Sequence, residues 1–180
     1  MRELDPDLLA SIDQALLNSI SRRMIIAASK IFVDVKEEGN NKGYWIELLQ
    51  KTADGKAQGE SYCCSFVQSI IAYVELRMGR ESEVFTTEKV MDMWRNTPSH
   101  LKRAEGETGD IAVWNHKGTD RGHCGIVIEA LTDGFKCVEG NTNSGAAEFT
   151  QGNEGEGIYL KERPLDNVGT MELLGFISVY

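Results

Sequence analysis

Apolar residues at helical spacing dominate the first half of the chain. Leu8, Leu9, Ile12, Leu16, Leu17 and Ile20 recur at three- and four-residue intervals, which predicts an amphipathic helix over 6–21. Asp5 is placed to cap it, and Pro6 takes the first helical position, where a missing N–H costs nothing. A second apolar run, 24–35, starts as helix and gives way to the polar stretch 36–43, which reads as a loop. Residues 44–51 offer a short helix with Trp45, Leu48 and Leu49 on one side, followed by a Gly-containing loop over 53–60. From Ser61 onward, Phe66, Val67, Ile70, Ile71, Val74 and Leu76 predict a strongly buried helix that ends at Gly79, a suitable C-terminal cap. Thr86 or Thr87 can start one more helix, carrying Val90, Met91, Met93 and Trp94 and stopping before Pro98.

Beyond that proline the period becomes two. Segments 110–114, 123–131, 135–139, 157–161 and 173–180 alternate as strands, separated by turn residues at 117–120 and 132–134 and by a Gly/Asn-rich run at 140–157. Helices followed by a meander of about five to six antiparallel strands spell an α+β fold. The 140–157 run is long enough to be a functional loop.

Composition narrows the function classes. The 180 residues make one ordinary domain, with 41% apolar and 26% charged side chains, which are globular values. Nineteen basic against twenty-eight acidic side chains leave a net charge of −9, a field that repels phosphate backbones and anionic lipid. Nucleic-acid binding is therefore not expected, and the basic pairs Arg22-Arg23 and Lys102-Arg103 read as solvated surface. No apolar run approaches the roughly 18 residues a membrane span needs, so membrane insertion is not expected either. Glu3, Asp5 and Asp7 stand where a signal peptide would carry positive charge, which leads us to expect synthesis and retention in the cytoplasm unless another machine exports the chain. Cys63, Cys64, Cys124 and Cys137 follow no metal-ribbon spacing and are expected as thiols.

The candidate chemistry centres on Cys63. It falls in the first turn of the buried helix, where unpaired N–H groups and the positive dipole end stabilise a thiolate. Such a nucleophile needs an imidazole within reach. Of the three histidines, His100 lies in a loop and His116 in a hairpin turn, whereas His123 opens a strand that would hold its direction. Glu139 and Asn141, two apart at the end of the next strand, can share a face, and either could steady the ring. Each feature has a plainer meaning: Cys63 as a small buried hydrophobe, and 141–145 as turn chemistry alone. A zinc site from Cys63, Cys64, His123 and Cys124 is disfavoured, because adjacent cysteines suit one tetrahedral ion poorly.

Four blocks together resemble a known family. Tyr62-Cys63-Cys64-Ser65-Phe66-Val67, Gly109-Asp110-Ile111-Ala112-Val113-Trp114, Gly122-His123-Cys124-Gly125-Ile126-Val127 and Glu139-Gly140-Asn141-Thr142 occur in the order of the CHAP family, the cysteine- and histidine-dependent amidohydrolases/peptidases that cut peptidoglycan. The stretch from Asn40 to Trp45 is similar to the polar lead-in of many members. The likeness covers 22–180, which makes that span the CHAP-like catalytic domain and 1–21 an N-terminal helical extension. It implies a papain-like, NlpC/P60-like fold, with Cys63 as nucleophile, His123 as base and Glu139 or Asn141 as the third group. Tyr62 is then a candidate oxyanion or substrate contact, and Trp114 a candidate floor for a substrate groove edged by the 140–157 loop. The NlpC/P60 enzymes more often place a second histidine at the third position, which this chain lacks. Calcium-binding members carry an Asp-rich loop before the cysteine. Residues 53–60 hold too few carboxylates for six to eight oxygen ligands, so neither metal nor cofactor is expected. The implied substrate is the peptidoglycan peptide, cut by amidase or endopeptidase action on the cell wall after release or delivery. Export machinery, a holin or an immunity protein would be the partners. A cysteine amidohydrolase acting on a non-wall amide and a non-catalytic binding module are the competing expectations.

Overall fold

Helix α1 (Pro6–Ile31) opens on the cap expected of it, with the Asp5 carboxylate accepting from the N–H groups of Asp7 and Leu8. The computed structural model describes residues 5–144 and 155–180. The two apolar runs expected at 6–21 and from residue 24 are one helix, because the Ser21-Arg22-Arg23 link between them holds no proline or glycine to break it. Its two halves differ in surroundings. Ser21, Ile25, Ala28 and Ser29 are buried against the body, whereas Leu8, Leu9, Ile12, Leu16 and Leu17 are between 41% and 53% exposed.

Arg22 fastens the helix. Its guanidinium donates to the Ser178 hydroxyl at 2.8 Å and pairs with the buried Asp110 carboxylate at 3.0 Å. Arg103 reaches the same hydroxyl at 2.8 Å. Arg22 and Arg103 are thus anchors between elements, which corrects the expectation that both basic pairs are solvated surface.

Helix α2 (Tyr44–Asp54) ends on Gly55 in the left-handed region, and α3 (Cys63–Met78) ends on Gly79 at φ 62°. Helix α4 (Val90–Asn96) starts later than either threonine. The preceding stretch is committed elsewhere: the Phe85 carbonyl accepts from Gln68, and the Thr87 carbonyl accepts from the Cys64 thiol.

Six strands follow among the described residues: β1 (Lys102–Arg103), β2 (Ile111–His116), β3 (Gly122–Leu131), β4 (Gly134–Thr142), β5 (Gly157–Pro164) and β6 (Met171–Ile177). They form one antiparallel sheet in the order β1-β6-β2-β3-β4-β5. The four helices and this sheet make an α+β fold. β1 is two residues long, too short to show a period in sequence, and β5 runs three residues past its expected end.

Alternation along the strands divides the sheet into two faces. Val113, Cys124, Ile126, Val138 and Ile158 pack under Phe66, Val67 and Ile70 of α3. Trp114, Val127, Phe135, Cys137 and Phe176 form a second cluster on the opposite face. Full burial of each such side chain contributes on the order of 1.5–3 kcal/mol. The centre of the sheet, β2-β3-β4, therefore holds its register from both sides, and that register determines where the polar residues described next can meet.

Candidate active site

Cys63 is the first residue of α3, and its sulfur lies at the helix tip that faces β3. Tyr62, at the cap position, makes no side-chain capping bond, so the first-turn amides are not claimed by a capping oxygen. The Cys64 N–H donates to the Cys63 sulfur, and the Cys124 thiol and the His123 ring both lie within hydrogen-bonding reach of it. The hydrogen bond from Cys124 does most to hold the Cys63 thiol well below its ordinary range. Burial works against this, and the bond and charge of His123 with the Cys64 amide add to it. Cys124 moves the opposite way, pushed up by burial and then by Cys63 and Cys64. A proton shared by the two thiols therefore rests on Cys124, since the imidazole and the helix amide face Cys63.

His123 stands on β3 directly opposite Trp114 of β2, with ring centroids 5.8 Å apart. Its Nε2 meets Glu139 Oε2 at 2.9 Å. A carboxylate can only accept there, so Nε2 carries the hydrogen and Nδ1 is left to take a proton from sulfur. Burial alone would lower the ring's pKa, but the bonds to Cys63 and Glu139 outweigh it and push it up to about 9. Both shifts favour a thiolate–imidazolium pair over a neutral thiol and imidazole.

Glu139 reaches His123 through a gap in the sheet. It pairs across β4 and β3 with Gly125, two residues from the histidine. A Cβ on Gly125 would lie 2.7 Å from Glu139 Cγ, so the glycine lets the carboxylate lean diagonally along β3. The side chain is completely buried and fully bonded. Arg163 forks onto it with Nε to Oε1 at 2.7 Å and Nη2 to Oε2 at 2.6 Å, and the Cys137 thiol donates to Oε1 at 2.9 Å. Burial pushes the carboxyl up, but the Arg163 fork and the His123 bond hold it far below the usual carboxylate range.

The structure thus brings Cys63, His123 and Glu139 together. Asn141 is placed differently, with its N–H on the Tyr62 hydroxyl. Its backbone is left-handed at φ 55°, and its carboxamide oxygen finds no hydrogen-bond partner among the described residues. Glu139, not Asn141, is the group bonded to the ring.

Two other expectations need correction. Tyr62 is wholly buried, and its hydroxyl donates to Glu37 Oε1 at 3.0 Å, so that proton is already committed. Burial and the neighbouring Glu37 charge push its phenol well above the ordinary range. Trp114 is also wholly buried, packed between His123 and Phe135, whose ring centroid is 5.9 Å away, with the Arg163 guanidinium 6.0 Å from its own ring. It backs the histidine and cannot floor an open groove. The central part of the expected groove edge, 145–154, lies outside the described residues.

Sequence reasoning missed Arg163, Cys124, Glu37 and His116. A signal for the first was present: Tyr159, Lys161 and Arg163 alternate on β5 and all are buried, and two cations on an interior face require an acid opposite them. Cys124, expected only as a thiol, packs in the sheet core and also touches the nucleophile candidate. His116, at the end of β2, lies close enough to His123 and Cys63 to feel both charges; burial first, and then the His123 charge, lower its pKa. His100 is exposed beside Glu83 and plays no part here. No group of three or more His, Cys, Asp and Glu side chains among the described residues could hold a metal ion. All four cysteines are buried, and none is in a disulfide. No family model, curated protein or solved structure matches the chain.

Proposed function

We propose that this chain is a CHAP-like cysteine amidase or endopeptidase with a papain-like arrangement, hydrolysing an amide bond of the peptidoglycan peptide. The observation that carries the reading is His123 held between two partners, with Nε2 on Glu139 and the Cys63 sulfur within hydrogen-bonding reach of the ring. The order of the four sequence blocks supports the substrate class.

The Cys63 thiolate attacks the amide carbonyl carbon. The bond to sulfur forms as the carbonyl oxygen takes the negative charge, and the Cys63 backbone N–H at the uncapped helix start would donate to it. His123 Nδ1 gives its proton to the departing amine, leaving a thioester. The neutral ring then takes a proton from water, the hydroxide adds to the thioester, and the carboxylic acid leaves as the thiolate returns. Glu139 keeps the proton on Nε2 throughout, so Nδ1 alone exchanges it. On this reading the enzyme acts on the wall after release or delivery, with export machinery, a holin or an immunity protein as its partners.

Zymography on purified peptidoglycan tests the proposal: the wild-type chain clears the substrate, and Cys63→Ala does not. Unchanged clearing by that variant overturns the role of Cys63. The net charge of −9 favours one second reading, a cysteine amidohydrolase on a non-wall amide, because an anionic wall repels an acidic protein. Mass spectrometry of digested muropeptides separates the two, since only the first produces new peptide or amine ends.

A further inference from the structure

Four side chains in the buried centre alternate in charge: the Cys63 thiolate, the His123 imidazolium, the Glu139 carboxylate and the Arg163 guanidinium. Only the first three belong to the reaction proposed above. Arg163 is 5% exposed, and it contributes both its Nε and an Nη nitrogen to Glu139. A planar fork of this kind fixes the plane of a carboxylate as well as its charge.

We propose that Arg163 is a positioning residue, which by forking both oxygens of Glu139 keeps that carboxylate ionised and turned toward His123, and so sets the fraction of Cys63 present as thiolate. The inference rests on the reading of Cys63 as nucleophile. It follows from charge in a place without water. The four groups sum to zero, and removing the guanidinium leaves a buried excess of one negative charge. If Glu139 takes up a proton, the imidazolium loses its partner and the thiolate loses the imidazolium. If Cys63 takes it up, the thiolate is lost directly. If neither does, the sulfur still loses a distant positive charge. Each route raises the pH at which Cys63 ionises.

The other groups facing this chain of charges do not replace Arg163. Cys124 donates to the sulfur from β3, and Cys137 donates to Glu139 from β4. Tyr62 and Glu37 are bonded to each other. His116 on β2 contributes a weakened charge, since its own pKa is lowered. Lys161 on β5 gives its ammonium to the Asn143 carbonyl at 3.0 Å.

The test is the pH profile of Cys63 alkylation by iodoacetamide, read at that residue by tandem mass spectrometry. In Arg163→Met the acid limb moves up by about one unit, a loss of reactivity of about tenfold on the acid side of the wild-type limb. Glu139→Gln removes the group the arginine acts on, so adding Arg163→Met to it moves the limb much less than Arg163→Met does alone, by the distant charge only. A folded Arg163→Met whose profile superimposes on wild type overturns the proposal. If that variant does not fold, Arg163→Lys carries the test. It keeps the charge and loses the fork, so lysis falls about tenfold, whereas wild-type lysis with a wild-type profile overturns the proposal. The alkylation shift needs no wall substrate, so a chain that shows the shift but leaves peptidoglycan intact refutes the substrate reading and not the role of Arg163.

Discussion

Gly125 and Glu139 face each other across β3 and β4, and the missing side chain on the first is the space the second uses to reach His123. A methyl group at Gly125 would stand 2.7 Å from Glu139 Cγ and 3.0 Å from the Val138 carbonyl oxygen, neither of which has room to retreat inside a sheet packed on both faces. Gly125→Ala therefore displaces the carboxylate from the ring. The expected result is a folded protein destabilised by about 1–3 kcal/mol in urea, with lysis reduced about 100-fold. Lysis within twofold of wild type would show that Glu139 does not depend on this gap.

The activity should be bell-shaped in pH. In the proposed mechanism the imidazolium donates its proton to the leaving amine, and its pKa is pushed up to about 9, so kcat/KM is expected to fall as pH rises through that value. The acid limb lies well below the ordinary thiol range, where Cys63 takes up its proton. Both limbs belong to the coupled pair. Stability is expected to behave differently. His123, with a folded pKa raised from 6.5, contributes stability below 6.5 that is lost as pH rises through about 9. Cys63, with a folded pKa lowered from 9.0, contributes stability above 9.0 that is lost as pH falls. Between 6.5 and 9.0 the two trends oppose each other, so urea midpoints from this pair should stay level there and fall only below 6.5, where His123 no longer offsets the loss from Cys63.

Glu139 and Asn141 separate by mutation. Glu139→Ala removes the group that holds Nε2 and leaves Arg163 buried without its main partner, so lysis falls by 100-fold or more, on the order of 3 kcal/mol of lost stabilisation. Asn141→Gly keeps the left-handed backbone at φ 55° and should retain lysis within tenfold, while Asn141→Ala costs about 1–2 kcal/mol in stability. An Asn141→Gly protein as inactive as Glu139→Ala would give the third role to the asparagine.

Tyr62→Phe removes the hydroxyl that donates to Glu37. The carboxylate keeps the Asn41 N–H at 2.7 Å, so the expected cost is about 0.5–1.5 kcal/mol in urea, with lysis within threefold. A large fall in kcat with unchanged stability would place this phenol on the oxyanion after all.

The helix that carries Cys63, its glycine cap and the strand that carries His123 were legible because each rests on a local rule: apolar spacing, a left-handed stop, and a period of two. The meeting of Cys63, His123 and Glu139 was legible as chemistry, from residue types at element ends. What stayed hidden depends on partners distant in the chain. Arg163 lies 24 positions from Glu139 and beyond the expected end of its strand. The roles of Tyr62 and Trp114 turned on which side of a packed element each one faces, and a wholly buried ring reads the same in sequence as a groove-lining one. The continuity of α1 was missed for a simpler reason, since a change of amphipathic face looks like a boundary even where no residue breaks the helix.

That continuity has a mechanical meaning. The 26 residues of α1 make a rod about 39 Å long, clamped at one part of its length by Arg22 on Asp110 and bearing leucines along the other. A rigid lever of this kind transmits direction. Any body bolted to Leu9 and Leu16 would be held at a set bearing to the sheet, where a flexible tether would let it wander, and splicing two glycines in place of Ser21 would uncouple the handle while leaving the engine intact.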